Sequence, residues 1–341
     1  MDAGHGGSFV GWRLAQYARL PARGKEAALA GPARPCSVGT MTHAPLPHVA
    51  EPLVTVIIPT HDRAALLMRA VTSALGQTHG SLEVLVVDDG STDETPALLA
   101  AVDDPRLTVI RRQTPGGVSA ARNVAIAAAR GDFIALLDSD DEWLPDKTAR
   151  QLAYMLENGH IISQTQEIWM RGGRRVNPVA RHGKPDGFFF EAALDMCLVS
   201  PSTTMFARGF FEEVGLFDES LPACEDYDLW LRTLLRHPIG LLDAYLAVRH
   251  GGRGDQLSTM FIGQDLFRIR AMIGLLARPE VTPWHRDCIE KELRRKVRVY
   301  VVGCCKRDRP EEAERVLALM ETALGAAKAH DTQPPAPDGA A

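Results

Sequence analysis

Leu82–Asp93, LEVLVVDDGSTD, constrains the fold more than any other stretch of the chain. Leu82–Val87 reads as a buried strand that stops at two carboxylates, followed by a glycine, two hydroxyl side chains and a third carboxylate. A run of this length bounded by turn residues fits a parallel strand covered on both faces. Asp88 and Asp89 then stand at its C-terminal edge, where open α/β sheets bind ligands. Gly90 allows the tight turn, and Ser91 or Asp93 suits the cap of a following helix. The same residues also fit a plain strand-to-helix turn with a capping aspartate, so this stretch alone does not define a function.

The pattern recurs on either side. Leu53–Ile58 (LVTVII) reads as a strand stopped by Pro59, and 62–76 as a helix with Leu66, Leu67, Ala70, Val71 and Ala74 on one face. A helix at about 94–102, a strand at 106–110, a Pro115–Gly117 turn opening a helix at about 119–129 and a strand at 133–137 follow. The last of these ends again in carboxylates, Asp138-Ser139-Asp140-Asp141. Such alternation predicts a doubly wound, Rossmann-like α/β fold with a mostly parallel central sheet flanked by helices. Right-handed crossovers put the strand ends on one edge, so Asp88 and Asp140 are expected to face one crevice.

The second half is less regular. Its expected elements are a helix at 145–156, strands at 161–170 and 174–180 around a Gly172-Gly173 hairpin, a short helix at 187–196 and a strand at 202–206. A helical turn at 210–214, a helix at 225–236 opening with three acids and a strand at 239–248 follow. That strand runs into Arg249, His250 and a Gly-rich loop, and 255–325 reads as two or three helices.

The composition, 45% hydrophobic and 24% charged, suits a soluble globular protein. A net charge of −5 gives no reason to expect nucleic-acid binding. The six cysteines show no CxxC pair and read as reduced thiols of a cytosolic protein. No apolar run reaches the ~18 residues of a membrane span, and the first residues lack a secretory signal pattern, so a cytoplasmic location is expected. Residues 1–50 are rich in Gly, Ala, Pro and Arg and are expected to be disordered, with Met41 an alternative start. The tail at 327–341 is expected to be disordered as well.

Asp138-Ser139-Asp140 closes an apolar strand opposite a second acidic strand end. Carboxylates so spaced suit a hard divalent cation shared with phosphate oxygens; a solvated acidic loop is the plainer alternative. The chain has no GxGxxG after the first strand, no P-loop and no GxSxG elbow, which disfavours dinucleotide, P-loop and serine-hydrolase chemistry. Glu225-Asp226 opens a helix, where a carboxylate can deprotonate an acceptor hydroxyl or simply complement the helix dipole. His250 precedes Gly251-Gly252, where backbone can close over a ligand.

Together these motifs resemble the family-2 glycosyltransferases, inverting enzymes of the GT-A fold. The likeness rests on VTVIIPTHDR (54–63), LEVLVVDDGSTD (82–93), GVSAARNVAIAAARGDFIALLDSDDEWLPDK (117–147), GLFDESLPACEDYDLWLR (215–232) and RHGGRGDQLS (249–258), five motifs in the family's order. It implies a glycosyltransferase domain at 51–258, with a nucleotide-binding half at 53–141 and an acceptor half at 142–258, followed by a helical region at 259–326. It further implies that Pro59, Thr60, Asp62 and Arg63 line the nucleotide pocket, that Asp88 accepts a hydrogen bond from the base, and that Arg122 shapes the pocket. By the same resemblance Asp138 lies near the ribose or sugar, Asp140 and His250 face a Mg²⁺ or Mn²⁺ ion, Glu225 sits beside the acceptor and Asp226 is the catalytic base.

The implied donor is a nucleotide sugar, first of all a UDP-sugar. The implied acceptor is a glycan, a lipid-linked precursor or a protein, in cell-surface polysaccharide, lipopolysaccharide or glycoconjugate synthesis. The family's first motif more often reads PTYNR; His61 and Asp62 replace its Tyr and Asn, which adds a negative charge near a nucleotide. The QxxRW signature of processive synthases is missing, which points to single sugar additions. A nucleotidyltransferase on a related fold and a silent nucleotide-binding or scaffolding member are the alternatives. Lys291–Val302 (KELRRKVRVYVV) reads as a packed helix with a basic outer face, or as a peripheral contact with the inner face of the cytoplasmic membrane.

Overall fold

The computed structural model describes residues 51–254 and 263–331. The expectations for 1–50, for the end of the RHGGRGDQLS motif and for residues 332–341 lie outside the described residues. The described chain starts with β1 (Val54–Thr60), α1 (Ala64–Leu75), β2 (Leu82–Asp88), α2 (Thr95–Ala100), β3 (Leu107–Arg111), α3 (Gly117–Ala128) and β4 (Phe133–Leu136). Every residue of β1, β2 and β4 is buried, as strands covered on both faces require. The helical face of α1 is the expected one, with Leu67, Ala70, Val71 and Ala74 buried.

These four strands are parallel, in the order β3-β2-β1-β4. Thr60 of β1 lies opposite Asp88 of β2, and Ile57 lies opposite Leu136 of β4. The backbone bonds from Asp89 N to Thr60 O (2.8 Å) and from Leu137 N to Ile57 O (2.9 Å) carry the alignment past the strand ends. Both acidic termini therefore emerge on one edge, on either side of β1.

The chain continues as β5 (Glu142–Trp143), α4 (Lys147–Asn158), β6 (Ile162–Arg171), β7 (Arg174–Val176), α5 (Phe190–Asp195), β8 (Thr204–Ala207), α6 (Phe210–Val214), α7 (Glu225–Leu234) and β9 (Gly240–Gly251). Here the wholly parallel pattern ends. β8 is antiparallel to both β4 and β6, β6 and β9 are parallel, and β5 is antiparallel to β9. The result is one mixed, mostly parallel sheet. The short β5 was not legible in the sequence, because two residues carry no periodicity. The strand expected at 202–206 begins as a 3₁₀ turn, Pro201–Thr203, and that expected at 174–180 ends at Val176.

The sheet edge remote from the acidic termini is tied by polar bonds. Glu83 accepts from Thr55 Oγ1, Arg130 N and Arg130 Nε, Gly131 N donates to Thr55 Oγ1 at 2.8 Å, and Leu53 N donates to Asp132 Oδ2 at 3.0 Å. A Cβ on Gly131 would stand 2.6 Å from Thr55 N and 2.7 Å from Leu53 O, both backbone atoms that cannot rotate away. Gly131→Ala is therefore expected to lower stability by roughly 1–3 kcal/mol, the usual range for overpacking. Urea unfolding followed by circular dichroism measures it, and an unchanged midpoint would show that the turn relaxes freely.

Two compact units separate, one ending at Leu293 and one beginning at Arg294. The boundary falls inside α9 (Pro283–Lys306), which follows α8 (Asp265–Leu276) and precedes α10 (Pro310–Asp331). In the first unit α8 lies against α7, with Arg268 6.0 Å from the Tyr227 ring and Arg236 paired with Glu280 at 2.9 Å. In the second, Val297, Tyr300, Val301 and Cys304 form one buried face at i, i+3, i+4, i+7 spacing, and Tyr300 donates a hydrogen bond to Glu312. That spacing fits the packed-helix reading of this stretch. No described helix is long and apolar enough to cross a membrane.

Candidate active site

The loops after β1 and β2 hold each other through carboxylates. Asp62 has φ 49°, a left-handed conformation that Asn and Asp tolerate better than most residues. Its Oδ1 accepts the backbone N–H groups of Thr92 (2.7 Å) and Asp93 (3.3 Å), and its own N–H donates to Ser91 Oγ at 2.9 Å. Asp93 reciprocates, accepting from Ala64 N at 3.0 Å and Thr95 N at 2.9 Å, at the first residues of α1 and α2. The Thr92 amide holds the Asp62 carboxyl below the usual carboxylate range.

The extra negative charge that Asp62 introduces is thus spent on backbone donors. An asparagine there offers the same acceptor oxygen and tolerates the same φ. Asp62→Asn is expected to unfold at the parent's midpoint, whereas Asp62→Ala, which loses the acceptor for Thr92 N and Asp93 N, is expected to unfold lower. Thermal unfolding of the pair checks this; equal losses would remove the clamp role.

Asp89, which the sequence analysis did not place among the site residues, anchors the next loop. Its carboxylate accepts from Arg112 Nη1, from Gly116 N (2.9 Å) and from Gly117 N (2.8 Å), fixing the entry to α3. Its carbonyl accepts from His61 Nδ1 at 2.9 Å. Asp88 behaves differently. It is 1% exposed, its Oδ1 accepts from Ser91 N at 2.9 Å, and its Oδ2 lies 3.6 Å from Arg111 Nε without a hydrogen bond. Thr60 Oγ1, on the residue facing Asp88 across the strands, is also buried and without a partner. Two polar atoms without a hydrogen bond on facing strand ends, one of them ion-paired with Arg111, mark a place where a ligand can supply the missing bonds.

Arg122 of α3 is the hub. Its guanidinium, 3% exposed, donates to Asp138 Oδ1 at 2.8 Å and to Glu225 Oε1 at 2.7 Å, and lies 5.0 Å from the Phe217 ring. Burial opposes its charge, but Asp138 and Glu225 outweigh that and raise its pKa. One buried side chain therefore joins the carboxylates after β4 to the acidic start of α7. Arg122 was expected to shape a nucleotide pocket; its guanidinium is committed to these two acids.

The start of α7 is turned by Cys224, at φ 62°. Trp230 stacks on Phe206 of β8, centroids 6.1 Å apart and 10° from parallel, and Tyr227 Oη donates to Leu194 O at 2.7 Å. These contacts fix where Glu225 and Asp226 stand. Burial, together with the charge of Asp226, lifts Glu225 to about 7 against the pull of Arg122. Asp226 is partly exposed; its Oδ2 accepts the Cys197 thiol at 3.4 Å, and burial keeps that thiol protonated.

Asp138 N donates to Ser202 Oγ at 3.1 Å, and Ser202 Oγ donates to Asp141 Oδ2 at 2.7 Å. Asp141 also accepts from His250 N at 3.0 Å, so it fastens β9 to this loop. Burial, then the charges of Asp140 and Asp138, push Asp141 well above the carboxylate range. Asp140 keeps a side chain 18% exposed, paired with Arg253, while its carbonyl accepts from Arg69 Nη2 at 2.5 Å. The His250 ring meets Glu142 Oε1 through Nε2 at 3.0 Å. Among the described residues no three His, Cys, Asp or Glu side chains cluster as a metal cage. A partly exposed Asp140 instead suits a cation that takes most of its ligands from phosphate and water.

The family model for glycosyl transferase family 2 matches residues 55–215. The chain is 30% identical over 205 residues to the UDP-Glc:alpha-D-GlcNAc-diphosphoundecaprenol beta-1,3-glucosyltransferase WfaP of Escherichia coli, over 58% of this chain and 78% of that protein. The chain belongs to glycosyltransferase family 2. Within the family it is 46% identical over 192 residues to the succinoglycan biosynthesis protein ExoO of Rhizobium meliloti, over 52% of this chain and 54% of ExoO. An uncharacterized glycosyltransferase of Rickettsia conorii is 34% identical over 195 residues, 57% of this chain; the chain spans only 32% of that relative's length. Its fold is the GT-A fold. The crystal structure of S. aureus TarS 1–349 in complex with UDP-GlcNAc superposes with a TM-score of 0.59 at 22% identity, over 71% of this chain and 70% of TarS.

Proposed function

We propose that this family-2 glycosyltransferase moves a single sugar, with inversion, from a nucleotide-diphosphate sugar to an acceptor hydroxyl in cell-surface glycan synthesis at the cytoplasmic side. The observation that carries the reading is the buried Arg122 bridge, which joins Asp138, in the Asp-x-Asp loop, to Glu225, the neighbour of Asp226. Donor-side and acceptor-side acids meet on one guanidinium. Thr60 Oγ1 and Asp88 Oδ2, neither of which has a hydrogen bond, support a nucleotide base at the ends of β1 and β2. Uracil suits this position because its ring N–H can donate to Asp88. WfaP by its name uses UDP-Glc, and TarS binds UDP-GlcNAc, which favours a UDP-sugar here. The acceptors considered are a lipid-linked precursor, a glycan or a protein, with the first favoured by the WfaP name.

In this mechanism Asp226 accepts the proton of the acceptor hydroxyl. The oxygen then attacks the anomeric carbon from the face opposite the diphosphate, forming the new glycosidic bond as the bond to the diphosphate breaks. Asp138 orients the sugar or ribose, held by Arg122. Asp140, with His250 behind it, would hold a Mg²⁺ or Mn²⁺ ion, which would neutralise charge on the leaving diphosphate when bound. Arg253, beside Asp140, adds positive charge at the same end.

The melting temperature of the full chain with UDP, GDP and dTDP species, with Mn²⁺ or with EDTA, tests this. A metal-dependent rise with UDP species is expected, amounting to about 2.7 kcal/mol of stabilisation at a hundredfold excess over Kd. No rise with any nucleotide would overturn the donor site.

A further inference from the structure

The β6–β7 hairpin and the end of β9 enclose a cavity of about 130 Å³, lined by Trp169, Arg171, Val176, Arg249 and Gly252 among others. It opens to solvent and has room for a sugar ring. In the sheet order it lies on the far side of β4 from the strand ends that carry Thr60 and Asp88. Trp169 and Arg171 share one face of β6, and Arg249 faces Trp169 across the parallel β6–β9 pair.

The indole is locked in place. Its Nε1 donates to Glu167 Oε1 at 2.8 Å, and the His182 ring packs 5.3 Å from its centroid. The Arg249 guanidinium lies 5.4 Å from the same ring. Gly252, at φ +88°, lets the stem of Arg171 cross it, since a Cβ there would come within 2.6 Å of Arg171 Cγ. Among the described residues neither the Arg171 nor the Arg249 guanidinium makes a hydrogen bond or a close ion pair, and Arg249 feels Glu167, Asp141 and Asp138 only at longer range. Arg174 and Arg175, exposed on β7, add to the positive charge. His250, next to Arg249, donates its N–H to Asp141 at 3.0 Å, so this end of β9 adjoins the Asp-x-Asp loop.

We infer that the cavity is an acceptor subsite for a pyranose bearing an oxyanion, with the ring on Trp169 and the carboxylate or phosphate on Arg249 and Arg171. A fixed indole face takes the apolar face of a sugar, and an uncommitted guanidinium fork matches carboxylate and phosphate oxygens. The inference rests on the transfer reading above, which it deepens by naming the acceptor's chemistry.

Ligand-observed NMR titration of the full chain with glucuronate, glucose 1-phosphate and glucose tests it without turnover. Binding of at least one anionic sugar is expected, about tenfold or more tighter than glucose, and whichever anion binds more tightly tells carboxylate from phosphate. Arg171→Met should weaken that binding about tenfold with the melting temperature and UDP affinity unchanged, and Arg249→Met should weaken it at least as much. Arg171→Met guards the test, because its exposed head can be lost without disturbing the fold. Equal binding of glucose, no binding of any sugar, binding that survives both substitutions, or displacement by UDP would overturn the subsite. An Asp226→Asn protein that still transfers sugar would remove the transfer mechanism and leave this binding result standing.

Discussion

Asp226→Asn is expected to lower kcat by about 10²–10⁴, the span that a positioned general base contributes. The substitution keeps the shape of the side chain and the oxygen that accepts from Tyr227 N at 2.7 Å, and removes the basicity together with the weak acceptor for the Cys197 thiol. The anchors of α7, Trp230 on Phe206 and Tyr227 on Leu194, are untouched, so Glu225 and the Arg122 bridge should stay in place. Donor affinity should therefore remain within about twofold, and stability within about 1 kcal/mol, since one exposed carboxylate is exchanged for an amide. Calorimetric titration with the UDP-sugar, beside a transfer assay, separates binding from chemistry. A variant with full turnover would refute Asp226 as the base. A variant that lost donor binding as well would move Asp226 into the donor pocket.

The first half of this molecule was legible in the sequence because its strands are mostly buried on both faces and end in charge. β2 and β4 stand within a residue of their expected bounds, since the step from apolar run to Asp88 and Asp138 is abrupt, whereas β1 runs through the stop expected at Pro59 and ends at Thr60. The resemblance to family-2 glycosyltransferases, carried by five motifs in order, matches the family membership found by comparison. The commitments of individual side chains were less legible. Nothing in the string THDR tells that Asp62 spends its charge on Thr92 and Asp93, because those donors lie thirty residues on and are brought near by the β1–β2 pairing. Asp89 adjoins a singled-out residue, yet its bond to the Gly116-Gly117 turn depends on where α3 begins. Arg122 could be placed on a helix, but its reach to both Asp138 and Glu225 is tertiary. In the second half β6 and β9 lie close to the expected 161–170 and 239–248, but β5, two residues long, escaped, and so did the pairing of the strands, parallel with an irregularity at Thr165–Glu167 for β6–β9 and antiparallel for β5–β9.

Arg122→Met is expected to cost about 3–5 kcal/mol at neutral pH, the penalty for removing one partner of a buried ion pair. The loss falls mainly on Glu225, since Asp138 keeps 32% of its side chain exposed and Glu225 only 8%. Glu225 already sits at about 7 in the folded protein, above its ordinary 4.5, because burial and Asp226 outweigh Arg122. A carboxyl raised on folding contributes stability that is complete below about pH 4.5 and is lost as pH rises through about 7. Removing Arg122 takes away the force that lowers Glu225, so its folded pKa climbs further and the variant's stability should fall more steeply between pH 5 and 8 than the parent's. Arg122→Met should therefore lie closer to the parent at pH 5 than at pH 8. The double variant Arg122→Met, Glu225→Gln should recover about 1–3 kcal/mol at pH 8, since neighbours in one network do not add. Urea midpoints for the three proteins at the two pH values provide the measurement. A single variant equally damaged at both, with no recovery in the double, would mean that Arg122 acts through packing on Phe217 and not through the charges it joins.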